Sequence, residues 1–124
     1  MLAEKRMMEE KSVFRLILSI EADNFIRSLP SKVSEKIRSN IRRVQKGERN
    51  VELFKKLEGT EIWEFRTLFN RTAYRLFSFW DNESETLVIV THGMIKKTQR
   101  TPSKEIVRAE QFRKLYFESK RQKK

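Results

Sequence analysis

Three runs in the second half of the chain read as strands, and only short turns separate them. Residues 62–68, Ile-Trp-Glu-Phe-Arg-Thr-Leu, alternate apolar and polar side chains, the period of a half-buried strand. Residues 73–80 are rich in aromatics, and residues 87–95 are apolar enough for the centre of a sheet. Asn70-Arg71 and Asp81-Asn82-Glu83-Ser84 are turn signals between them. Strands joined this closely pair antiparallel, so the chain has to build its core on a meander.

The first half supplies the cover. Residues 12–20 are β-branched and aromatic enough for a strand, against the rival reading of a helix continuing from the leader. Residues 21–29 read as a short helix with Phe25, Ile26 and Leu29 on one side, interrupted by Pro30. Ser31 is the expected N-cap of a second helix, with Glu35 near the capping-box position. Val33, Ile37, Ile41 and Val44 recur at helical spacing, and Gly47 can end that helix. Its other face carries Lys36, Arg38, Arg42, Arg43 and Lys46, either a solvated face or a docking surface. Thr101-Pro102-Ser103 opens a last helix containing Ile106, Ala109, Phe112 and Phe117. The expected order is β-α-α-β-β-β-α, an α+β fold with helices on one face of a mainly antiparallel sheet. A charged leader (1–11), a single domain (12–119) and a basic tail (120–124) divide the chain.

Composition narrows the function classes. At 124 residues and 38% hydrophobic, the chain suits one domain. It has no cysteine, which excludes disulfides and thiolate metal sites, and one histidine, which argues against a His-built metal site. No apolar run approaches the roughly 18 residues that span a bilayer. The first residues lack the cationic start and apolar middle of a signal peptide, so a cytoplasmic protein is expected. Net charge is +11, and residues 96–124 carry eleven bases against three acids. That bias favours a polyanionic partner.

The candidate chemistry lies around the last strand. Lys96-Lys97-Thr98-Gln99-Arg100-Thr101-Pro102 puts three cations, two hydroxyls and an amide at its end, a set suited to a phosphate backbone. Strand parity puts Glu64 and Arg66 on one face, and a simple register lets Arg75 join them. Ordinary cross-strand pairing of Glu64 with Arg75 is the competing reading. Metal-independent RNA cleavage needs a 2′-hydroxyl in line with the phosphorus and cations to stabilise the phosphorane. Arginine matches phosphate oxygens and stays charged, whereas lysine serves as acid or base only where neighbouring cations lower its pKa. His92 is the alternative base, with a structural role as its rival. Trp63 and Trp80 suit either base stacking or core packing, and alternation favours the core.

Several of these segments together resemble the RelE/ParE toxin superfamily, most closely its phage-derived, HigB-like branch. Leu57-Glu58-Gly59-Thr60-Glu61-Ile62-Trp63-Glu64-Phe65-Arg66 looks like its hairpin entry. Tyr74-Arg75-Leu76-Phe77-Ser78-Phe79 matches the Y/W-R-x-F-x-F strand. His92-Gly93-Met94-Ile95-Lys96-Lys97-Thr98-Gln99-Arg100-Thr101-Pro102, followed by Glu105-Ile106, matches the HGF-x-KKTQKTP…EI run, the most specific of the motifs. Phe25-Ile26-Arg27-Ser28-Leu29-Pro30 fits the first helix, and the likeness spans roughly residues 13–118.

The resemblance implies a microbial ribonuclease-like, RelE-like fold. It implies the toxin of a type II toxin–antitoxin module, a ribosome-dependent mRNA endonuclease without metal or cofactor. Its implied partners are mRNA, the ribosome and a helix-turn-helix, HigA-like antitoxin that binds it in a hetero-oligomer. Carried over by position, Arg66 falls on a catalytic or phosphate-binding lysine, Arg75 on the phosphate-binding strand arginine, and Lys97 near the arginine after the last strand. The catalytic set is then Arg66, Arg75, Lys96, Lys97 and His92, with Glu64, Thr98, Gln99 and Arg100 on the RNA. Glu64 departs from a second basic position, and Tyr116 lies too far along its helix to match the stacking tyrosine. The alternatives are a ParE-like DNA gyrase inhibitor, whose relatives generally lack this basic set, and a non-catalytic RNA- or ribosome-binding module.

Overall fold

The computed structural model describes residues 12–83, 86–97 and 100–122. The leader 1–11, Lys123 and Lys124 lie outside the described residues. A first strand, β1 (Arg15–Leu18), leads into helices α1 (Ile20–Ser28) and α2 (Ser31–Gln45). Strands β2 (Phe54–Lys56), β3 (Trp63–Phe69), β4 (Thr72–Asp81) and β5 (Leu87–Lys96) follow, and helix α3 (Ser103–Gln122) closes the order. The α+β class stands as read from the sequence. Strand β2 adds to the expected order, because three residues are too few to show a period.

Local chemistry explains the boundaries. Ser19 caps α1, its hydroxyl accepting from the Ala22 N–H at 2.9 Å. Helix α2 starts at Ser31 itself, with Pro30 before it and no side-chain cap, so the expected Ser31 cap is not made. Gly47, with φ of 101°, ends it: Gly47 N–H donates to Val44 O and Glu48 N–H to Arg43 O, a Schellman closure. Asn70 and Arg71 both have positive φ, forming the two-residue turn that matches the twist of a β-hairpin.

The sheet order is β1-β5-β4-β3-β2, with β1 parallel to β5 and the other pairs antiparallel. Helices α1 and α2 pack on one face, where Ala22, Ile26, Val33, Ile37 and Val44 meet Phe65, Leu76, Val88 and Val90. Helix α3 covers the other face, where Ala109, Phe112, Tyr116 and Phe117 meet Ile62, Phe77, Phe79 and Ile89. This corrects the expectation of helices on one face. Both faces of β4 and β5 are apolar, which demands a cover on each side. Trp63 and Trp80 lie on the α2 side, packed with Phe14 and Phe54 at ring distances of 4.8–6.2 Å, as core packing requires.

Candidate RNA-cleaving cleft

The α3-side face of the sheet is only partly covered, and its open end is cationic. Arg66 of β3 stands directly across from Arg75 of β4, and Ala73 of β4 from Lys96 of β5. Lys55 of β2 pairs with Glu64. By strand alternation Lys55, Glu64, Arg66, Arg75 and Lys96 share this face. Lys96 is there because of a bulge. Phe77 pairs with His92 and Ser78 with Val90, so Thr91 is the extra residue. Upstream of the bulge Leu87 and Ile89 face α3, and downstream His92, Met94 and Lys96 do.

Glu64 organises the cluster. Its buried carboxylate Oε1 lies 3.2 Å from Arg75 Nε and 3.6 Å from Arg66 Nε. Its other oxygen accepts from Thr101 Oγ1 at 3.1 Å, tying the start of α3 to the cleft. Cross-strand pairing and a cationic cluster, rivals in the sequence, are therefore both present. Arg66 donates a second arm to Val51 O at 2.9 Å, and Arg75 donates to Tyr74 O at 3.2 Å. Arg75 Nε is close to Glu64 but out of line with it, so this buried N–H makes no hydrogen bond. Burial, then Arg66 alongside, pulls the Arg75 guanidinium below its ordinary value, though an arginine remains cationic at neutral pH. Partial burial, then Arg75, likewise lowers the Lys96 ammonium. Both effects act in the direction that makes a lysine a readier proton donor.

His92 is placed differently. It is 2% exposed, with Nδ1 2.9 Å from Thr91 Oγ1 and Nε2 3.2 Å from Glu105 Oε1. Burial, then Arg108, lowers its pKa, which favours the neutral ring. It braces α3 against β5 rather than opening to the cleft. Lys97 and Arg100 are exposed at the mouth, and Thr98 and Gln99 lie outside the described residues. Sequence reasoning missed Lys55, which sits on the unrecognised strand, and the tie from Thr101 to Glu64, since Thr101 reads in the sequence as a phosphate-side hydroxyl and a helix start. No helix among the described residues is long and apolar enough to cross a membrane.

Residues 24–114 match the family described as Phage derived protein Gp49-like. The chain belongs to that family. No curated protein is matched by the sequence. Among solved structures, the Gp49-like chain is similar to a mutant of the Escherichia coli toxin RelE in the free state. The TM-score is 0.50 at 21% identity, over 64% of this chain and 80% of that one. The likeness is one of fold, and it carries the RelE-like architecture read from the sequence.

Proposed function

We propose that this protein is the toxin of a type II toxin–antitoxin module and that it cleaves mRNA on the ribosome. The observation that carries the reading is the pairing of Arg66 against Arg75, with Lys96 on the same open face. Two arginines on one carboxylate, with Lys96 on the same face, leave an excess of positive charge that a phosphate would relieve. In this reading the 2′-oxygen attacks phosphorus in line. The P–O2′ bond forms and the P–O5′ bond breaks, leaving a 2′,3′-cyclic phosphate. The 2′ proton passes to water, and Lys96 protonates the departing 5′-oxygen. Arg66 and Arg75 stabilise the phosphorane, while Lys97, Thr98, Gln99 and Arg100 hold the flanking backbone. Lys97 can share the proton transfer at the cleft mouth. No metal or organic cofactor takes part. A HigA-like, helix-turn-helix antitoxin is the proposed partner, and the cytoplasm the proposed compartment.

Primer extension on a reporter mRNA, with and without translating ribosomes, tests this. Discrete cuts only with ribosomes are expected. Arg75→Ala should lower cleavage about 100-fold or more, the loss typical of one transition-state donor, while ribosome binding is retained. Cuts without ribosomes would make it a free ribonuclease. No cuts by folded protein would favour gyrase inhibition or a binding-only module, and parallel loss of cleavage and ribosome binding in Arg75→Ala would favour the latter.

A further inference from the structure

A second cationic surface lies across the sheet from the cleft. Helix α2 carries five bases and one acid, Glu35, and its C-cap is Lys46. Its apolar stripe, Val33, Ile37, Ile41 and Val44, is consumed by the core. At about 100° per residue, Lys32, Lys36, Arg43 and Lys46 fall within an arc of about 80° on the solvent side. They span about 21 Å of helix axis at 1.5 Å per residue. Arg43 is held by Glu48, with contacts of 2.8 and 2.6 Å. Lys32, Lys36 and Lys46 are exposed, and their ammonium groups have no ion-pair or hydrogen-bond partner among the described residues.

We propose that this face of α2 docks on the phosphate backbone of double-helical RNA, apart from the strand bound in the cleft. None of the large exposed hydrophobics of the fold lies on α2. A helix that lies in a membrane surface needs an apolar face to insert, and that of α2 is already buried. A protein interface draws its energy from aromatic and apolar anchors, which this face lacks. Single-stranded RNA is held by stacking on aromatics, which it lacks as well. Unpaired cations on one solvent-facing arc, Lys32 and Lys36 one turn apart and Lys46 about 15 Å further along the axis, fit a continuous line of phosphates. Because α2 and the cleft sit on opposite faces of the sheet, one molecule would bridge two RNA segments. This inference rests on the RNA-handling reading but not on cleavage.

The test is fluorescence anisotropy with a labelled RNA duplex of about 16 base pairs across a salt series. Lys32→Gln/Lys36→Gln/Lys46→Gln should bind about tenfold more weakly, with a salt slope shallower by about three. Its urea midpoint should match the parent, since the three lysines have no partners to lose. Arg66→Ala/Arg75→Ala should keep the α2-dependent part of the slope. The proposal is overturned if the parent does not bind the duplex, or if the triple variant binds it with unchanged affinity and slope. It is also overturned if the triple variant loses only binding to anionic phospholipid vesicles, to polyglutamate or to a DNA duplex. An altered slope with no mRNA cleavage leaves α2 as a docking face and removes the nuclease; cleavage with an unaltered slope does the reverse.

Discussion

Glu64 shows what one side chain decides in this protein. It is 2% exposed and is the shared counter-charge of Arg66 and Arg75. Removing one partner of a buried ion pair leaves the other charge uncompensated, at a cost of about 3–5 kcal/mol. Glu64→Gln keeps the shape and an acceptor for Thr101, so the loss should fall near the lower end, about 3 kcal/mol. Urea denaturation measures it, and an unchanged midpoint would show that the carboxylate is dispensable. His92 makes a pH prediction. Its folded-state pKa lies below the ordinary 6.5, through burial and then Arg108, against Glu105 and Glu21. A depressed pKa means that the unfolded chain binds the proton first. The stabilisation is therefore complete above about pH 6.5 and is lost as pH falls through the folded value. His92→Gln should flatten the fall in urea midpoint over that window. Asp81 titrates from an ordinary 3.8 downward, clear of this range.

At the scale of elements, α3 depends on one buried carboxylate. Asp81, 3% exposed at the end of β4, accepts from Tyr116 Oη at 2.6 Å and from Lys120 Nζ at 2.7 Å. Burial pushes Asp81 up, but Lys120 and Tyr116 outweigh it and hold it below its ordinary value. Burial, then Asp81, pushes the Tyr116 phenol up to about 12. Phe79 packs against Phe112, Tyr116 and Phe117 in the same region, so polar anchor and aromatic seam hold one helix. Asp81→Asn should cost about 1–3 kcal/mol, since it weakens two charge-assisted hydrogen bonds. Amide hydrogen exchange along residues 112–120 should speed up by tenfold or more, while α2 is unaffected. Uniform acceleration over the whole chain would mean that α3 does not open separately. Residues 120–122, part of the stretch read from the sequence as a tail, form the end of α3, where Lys120 also reaches Glu83 at 2.8 Å.

For the molecule as a whole, the cleft is a place where like charges are held together, and an anion should stabilise the fold. Millimolar inorganic phosphate should raise the melting temperature, because a ligand that binds only the folded state adds stability by mass action. The Arg66→Ala/Arg75→Ala variant should lose most of that shift, and an equal shift in both proteins would assign it to general salt effects. Much of the molecule was legible in the chain. Alternation marked β3, the Asn70-Arg71 turn fixed the hairpin, and the 3.6-residue spacing of Val33, Ile37, Ile41 and Val44 aimed α2 at the core. These are local signals, written in neighbouring residues. Strand parity also put Glu64 and Arg66 together, which needs only a period of two. Three features needed the assembled sheet. The extra residue at Thr91 reverses parity within β5, so Lys96 rather than Ile95 joins Arg75. The three-residue β2 exists only because β3 offers it an edge, and it brings Lys55 to Glu64. Helix α3 crosses to the face opposite α1 and α2, which buries His92 beneath Glu105 and leaves the cationic end of the sheet open. Such outcomes turn on which surfaces meet across the sheet. Period and propensity determine how each segment folds, whereas the competition to cover both faces of β4 and β5 decides where the charges end up.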